Sequence, residues 1–210
     1  YRRRFQLPVV GLTGSVGKTT TKEVIALVLG AKYNTLKTQG NLNNEIGVPQ
    51  MLFRLEDSHT AAVIEMGMNH FGEISRLTRA VAPTVGLITN IGVSHIENLG
   101  SRAGILQAKL EILEGMAPDA PLIVNIDNDM LRTVKLGDRP LLTFAIDDQS
   151  ADFTATDIAE QGSTTTFTVH HSTFTRPVTI PTVGIHNVYN ALAAMLYCYR
   201  CCRLYRRKYR

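Results

Sequence analysis

Residues 6–23 read QLPVVGLTGSVGKTTTKE, and this stretch decides the fold. Its first half is a short apolar run, the texture of a strand buried on both faces. Its second half opens a helix. Between them, Gly14 and Gly17 let the backbone turn tightly, so that successive N–H groups can point at phosphate oxygens. Lys18 adds a positive charge, and the helix start adds the positive end of its dipole. Thr19 offers a hydroxyl suited to Mg²⁺. The general phosphate-loop pattern G-x-x-x-x-G-K-[ST] would want glycine at position 12, where Leu12 stands. What is present is T-G-x-x-G-K-T, Thr13 to Thr19. A purely structural strand–helix turn is the alternative reading.

Working outward, residues 18–30 are expected to form a helix with Val24, Ile25, Leu27, Val28 and Leu29 on its apolar face and Gly30 as its stop. Apolar runs at 60–68, 84–92, 120–127 and 140–146 read as further buried strands. The segments 73–83, closed by Pro83, and 101–118 read as helices. Buried strands alternating with helices predict an α/β fold, a mostly parallel sheet with helices on both faces. From about residue 150 the texture changes to Thr-rich, period-two alternation. A small antiparallel β segment is expected near residues 150–181, followed by a helix over 184–200. No internal repeat or low-complexity linker breaks the chain, so one domain is the simplest organisation.

Composition bounds the rest. With 210 residues and 44% hydrophobic, the chain can bury a core without disulfides or metals. No apolar run approaches the roughly 18 residues a membrane span needs. The net charge of +4 resides in the ends. Arg2, Arg3 and Arg4 stand at one end, and six basic residues fall between 200 and 210 at the other. The remaining 13 basic residues face 18 acids, so the body carries about −5, which argues against nucleic acid as a partner. Cys198, Cys201 and Cys202 lie together near the C-terminus. The C-x-x-C among them has no second Cys/His pair at zinc spacing and no strand–helix redox context. A reduced, cytoplasmic protein is expected. The chain begins at Tyr1 with no leader pattern, as a piece of a longer or processed chain would.

Ligands of an open parallel sheet gather beyond the carboxyl ends of its strands. Glu65 closes one apolar run, where an acid either serves a site or is a paired core acid. Asn90, Ser94 and His95 close the next, and His95 there suggests a metal ligand or a phosphate contact, with a structural histidine as the alternative. Lys109 sits inside a helix among apolar neighbours, and its plain reading is a surface lysine. Asn41, Asn43 and Asn44 cluster in TQGNLNNEIGVP, either as loop chemistry or as donors to a sugar or phosphate. Asn187 and Asn190, three apart on one helix face, can read an adenine edge or act as caps.

In order, TGSVGKT, GNLNNEIGVP, EMGMNHFGEI, TNIGVSHIE, AKLEI and GIHNVYNALAA resemble the central ATP-binding domain of the Mur ligases over roughly residues 6–195. EMGMNHFGEI with GNLNNEIG is most similar to the branch that adds D-alanyl-D-alanine. The resemblance implies a three-domain, monomeric ligase with residues 6–197 as its middle domain, residues 1–5 as linker and 198–210 as an atypical basic tail. The UDP-binding and C-terminal domains fall outside this chain. It implies an ATP- and Mg²⁺-dependent amide bond formed through an acyl phosphate, with UDP-N-acetylmuramoyl-tripeptide and D-alanyl-D-alanine as substrates. Carried over residue by residue, Thr13, Gly14, Ser15, Val16, Gly17, Lys18, Thr19 and Thr20 would hold the phosphates, and Asn187 and Asn190 the adenine side. Thr19, Glu65 and His95 would be Mg²⁺ ligands, with Lys109, as a carbamate, another. Asn41, Asn44, Asn69 and His70 would lie on the substrate side. A sister Mur ligase or polyglutamate-type ligase, and an ATP-binding fragment without activity of its own, remain the alternatives.

Overall fold

The computed structural model describes the backbone of residues 1–208 and the side chains of residues 1–199. The sheet strands are β1 (Val9–Thr13), β2 (Thr35–Lys37), β3 (Ala61–Glu65), β4 (Val85–Ile88), β5 (Leu122–Asn125), β6 (Leu141–Ala145), β7 (Phe153–Gln161), β8 (Thr164–His171) and β9 (Phe174–Ile180). They form one sheet in the order β2-β3-β1-β4-β5-β6-β7-β8-β9. Every pairing from β2 to β7 is parallel, and β7-β8-β9 is antiparallel. The expected Thr-rich segment is therefore present, but it continues the parallel sheet through β6 and β7.

The helices are α1 (Lys18–Gly30), α2 (Gly47–Leu52), α3 (Glu73–Val81), α4 (Ile96–Leu99), α5 (Arg102–Leu110) and α6 (Ile185–Lys208). Period-two alternation sends neighbouring strand residues to opposite cores. Val9, Ala62 and Ile64 pack with Val48 and Met51 of α2, Ile74 and Leu77 of α3, and Ile105 of α5. Val10, Leu12 and Val63 pack with Ile25 and Leu29 of α1 and Val188, Leu192 and Leu196 of α6. Each such fully buried aliphatic side chain contributes roughly 1.5–3 kcal/mol. Ser101 caps α5 as a serine should, its hydroxyl accepting from Gly104 N at 3.1 Å.

Several expectations need correction. The apolar face of α1 does not hold Leu27 or Val28, which are exposed; its buried positions are Thr21, Lys22, Ile25, Ala26 and Leu29. Contact with both the sheet and α6 rotates the buried face away from the apolar count. The helix expected to run to residue 118 is α-helical only to Leu110 and tightens into a 3₁₀ turn over Glu111–Gly115. The three-residue β2 and the short α2 and α4 had no apolar period long enough to announce them. In the basic C-terminal segment, α6 runs on to Lys208. The side chains of Cys201 and Cys202, and residues 209–210 entirely, lie outside the described residues.

β1 lies at the centre, with β3 on one side and β4 on the other. From β1 the chain passes to β2 and β3 on one side and then crosses to β4 on the other, so the carboxyl end of β1 lies at the switch in strand order where open α/β sheets bind ligands.

Candidate active site

The loop 14–17 leaves β1 and is braced by the segment that follows β4. Asn90 Oδ1 accepts from Ser15 N (3.1 Å) and Val16 N (2.9 Å). Thr89 Oγ1 donates to Val16 O at 2.8 Å, and Gly92 N donates to Ser15 Oγ at 2.9 Å. A Cβ on Gly14 would fall 1.9 Å from Thr89 Oγ1, so only glycine fits there. Gly17 sits in the left-handed region (φ 80°) as the residue before α1. The first described intrahelical bond of α1 runs from Thr21 N to Gly17 O (2.9 Å). The N–H groups of Lys18, Thr19 and Thr20 precede it and are the donors a phosphate would take. The Ser15 and Val16 amides are engaged by Asn90. Thr13 is fully buried, and its hydroxyl has no hydrogen-bond partner.

Asn90→Ala is expected to cost about 1 kcal/mol in thermal unfolding and to weaken ATP binding. Unchanged melting and unchanged affinity in a calorimetric titration would show that the loop keeps its shape without it.

Lys18 is half-buried, its Nζ donating to Gly14 O at 2.8 Å and reaching Ser15 O at 3.5 Å. Burial lowers its pKa, and the Glu65 charge opposes that shift. Glu65 ends β3 and is buried. Thr19 Oγ1 donates to its Oε2 at 3.1 Å, and Asn43 Nδ2 donates to its Oε1 at 2.8 Å. The Glu65 N–H donates to Thr38 Oγ1 at 2.9 Å. Sequence reading thus found Thr19 and Glu65, and the fold brings them together. It noticed Asn43 only as part of a cluster, and gave no role to Thr38 or to Lys22, whose Nζ lies 3.6 Å from Glu65 Oε2. The signal for Asn43 was its place in GNLNNE; for Lys22 there was none beyond a lysine inside a helix.

Lys109 overturns its plain reading. It is 2% exposed on the buried side of α5, and among the described residues it forms no ion pair. Burial, aided by the Lys18 charge, pushes its pKa down to about 7. His95 is exposed, in the left-handed region (φ 67°) at the start of α4. Its pKa is lowered by burial and by the charges of Lys109 and Lys18. Lys18, His95 and Lys109 therefore share one electrostatic neighbourhood, and a low pKa keeps His95 neutral and able to ligate.

The remaining candidates are distributed as follows. Asn190 is buried beside the phosphate loop, its Oδ1 accepting from Thr21 Oγ1 at 2.8 Å. Asn187 donates to Val183 O (2.7 Å) and Thr182 Oγ1 (3.0 Å), closing the turn into α6. Asn44 closes an Asx turn ahead of α2, Oδ1 accepting from Gly47 N (2.8 Å) and Ile46 N (3.1 Å), which leaves its acceptor engaged within the chain. Asn41 is exposed. Asn69 and His70 are exposed and engage Glu73: Asn69 N donates to Oε2 at 2.7 Å, and the His70 ring lies 3.3 Å from Oε1. Val16 and Thr20 are exposed. Among the described residues no three His, Cys, Asp or Glu side chains gather into a metal cluster. The oxygen donors present, a hydroxyl and a carboxylate beside a phosphate loop, fit a hard divalent cation such as Mg²⁺ that also takes phosphate oxygens.

Comparison with known proteins gives the same picture. The Mur ligase middle domain matches residues 12–198. UDP-N-acetylmuramoyl-tripeptide–D-alanyl-D-alanine ligase of Escherichia coli K12 is 44% identical over 195 residues, covering 91% of this chain and 43% of that protein. The crystal structure of MurF from Acinetobacter baumannii matches with a TM-score of 0.89 and 38% identity over 96% of this chain and 44% of its own. MurF ligase from Thermotoga maritima in complex with ADP matches with a TM-score of 0.87 and 27% identity over 95% of this chain and 47% of its own. The chain thus spans less than half the length of these relatives. With the family's domain matched over nearly the whole sequence and a solved MurF chain superposing at a TM-score of 0.89, the chain belongs to the Mur ligase family, and residues 12–198 match its middle domain.

Proposed function

We propose that this chain is the ATP-binding core of a cytoplasmic, ADP-forming amide ligase that adds D-alanyl-D-alanine to UDP-N-acetylmuramoyl-tripeptide in peptidoglycan precursor synthesis. The observation that carries the reading is the pairing of Thr19 with Glu65 at 3.1 Å directly beside the phosphate loop. The 44% identity to the E. coli D-alanyl-D-alanine-adding ligase supports that branch over its sisters. The α1 amides and Lys18 bind and orient the triphosphate. Thr19 and Glu65 hold Mg²⁺, with His95 and a carbamylated Lys109 as further ligands. The bound cations supply charge neutralisation between the triphosphate and the substrate carboxylate, which would otherwise repel. Positioning and electrostatics then lower the barrier to acyl-phosphate formation, and Asn187 and Asn190 set the adenine side. The incoming dipeptide amine attacks the acyl carbon and phosphate leaves.

Glu65→Gln tests this. It keeps the volume and one acceptor but removes the charge. MgATP binding in a calorimetric titration is expected to weaken about tenfold or more, with the fold retained but melting lowered, because the buried Lys22 ammonium loses a charge partner. Undiminished Mg²⁺-dependent affinity would remove Glu65 from the site. ATP binding by the chain without turnover in any ligase that carries it would leave a nucleotide-binding module instead.

A further inference from the structure

The geometry points to Lys22 as the positioning residue of the metal site: it holds the Glu65 carboxylate and the loop that delivers Asn43 against the phosphate-loop helix. This rests on the reading of Glu65 as a metal ligand. Lys22 is fully buried. Its Nζ lies 3.6 Å from Glu65 Oε2, 3.3 Å from Glu23 Oε1 and 3.4 Å from Gly40 O. Those contacts belong to α1 itself, to the end of β3, and to the loop after β2. Lys22 stands four residues after Lys18, so both project from one face of α1. Lys18 serves the phosphate loop; Lys22 serves the acid beside it.

The carboxylate is clamped from two sides. Asn43 donates to Oε1; Thr19 and Lys22 face Oε2. Asn43 is in turn fixed by Gly67 N, which donates to Asn43 O at 2.8 Å. A Thr19 hydroxyl that gives a lone pair to a cation can keep donating its proton to Glu65, but its position then follows the cation, so of these contacts only those from Lys22 and Asn43 are independent of the metal. Lys22 and Asn43 are then what keeps the carboxylate aimed. Removing the ammonium takes from Oε2 its charged partner and from the loop its tether at Gly40, three residues before Asn43. Packing alone does not ask for a lysine here. A buried ammonium is costly to desolvate, and an apolar side chain of similar length would fill the space more cheaply.

A double-mutant cycle in this chain decides the matter, with Mn²⁺ and ATP as probes and the free-Mn²⁺ paramagnetic resonance signal as readout. Lys22→Met is expected to weaken Mn²⁺ binding about tenfold or more, as loss of a group that orients a metal ligand does. In the Glu65→Gln background the same change is expected to cost less than about twofold, because its effect runs through the carboxylate. Equal losses in both backgrounds would make Lys22 a packing residue and overturn the proposal, as would no loss in the single variant. Equal binding by wild type and Glu65→Gln would instead overturn the metal-site reading itself. If Lys22→Met melts below the assay temperature, Lys22→Gln, which keeps a donor of shorter reach, carries the cycle. It is expected to lose affinity in the Glu65 background only, and an undiminished affinity overturns the proposal.

Discussion

Replacing Lys109 by alanine is expected to lower turnover of an intact ligase carrying this domain about a hundredfold or more, the scale of losing one group that stabilises charge at a reacting centre. Short carboxylic acids in solution are expected to restore part of it. A carbamate forms only on a neutral amine. An ordinary lysine is neutral in roughly one molecule in a thousand at pH 7. Lys109, its pKa pushed down to about 7 by burial and by Lys18, presents a far larger neutral fraction at that pH. The chain has therefore already met the energetic cost of presenting an amine that CO₂ can take. A ¹³C resonance from labelled bicarbonate, lost in Lys109→Ala, is the direct readout. Normal turnover in that variant, or a dead enzyme indifferent to both carboxylates and bicarbonate, would remove the carbamate role.

The same burial works against stability, and its sign follows from linkage. Folded Lys109 gives up its proton near pH 7, the unfolded lysine near 10.5. Between those values the unfolded chain binds more protons, so stability rises with pH. Below about pH 7 the fold bears the whole penalty, roughly 3–5 kcal/mol. In CO₂-depleted buffer Lys109→Met is expected to melt higher than wild type at and below pH 7, with the gain shrinking towards pH 10.5. A gain independent of pH would trace it to packing.

Lys18→Ala is expected to weaken MgATP binding about 10–100-fold, the worth of a charge-assisted contact or two to phosphate. The fold should hardly notice. The Nζ bonds only carbonyls of its own loop, at Gly14 and Ser15, and both loop shape and register are kept by Asn90 and Thr89. Melting within a few degrees of wild type with the affinity gone is the expected pair of results. Tight MgATP binding by Lys18→Ala would refute the phosphate-loop assignment; a collapse in melting would make Lys18 a structural residue.

Much of this site was legible because its chemistry is local. Gly14, Gly17, Lys18 and Thr19 fall within six consecutive residues on a strand–turn–helix, so spacing alone places them. Glu65 stood out as an acid closing an apolar run. Lys109 misled on its own residues, because a helix of mixed character does not say which face is covered; the packing of α5 against α3, α4 and the 3₁₀ turn that follows it decides that. Asn44, expected on the substrate side, closes an Asx turn just before α2, and an Asx turn and a ligand contact use the same residue types.

What the linear order of residues determined by itself was the alternation of buried strands and helices, and the loop between the first pair. Both follow from periodicity and backbone geometry that act over a few residues. Only the tertiary structure decided that Asn90 braces a loop 74 residues away, that Asn43 and Thr19 meet on Glu65, and that Lys22 and Lys109 are buried. Those facts depend on strand order, with β1 between β3 and β4. Strand order is set by the simultaneous covering of both sheet faces, a condition on the whole chain that no short window of sequence contains.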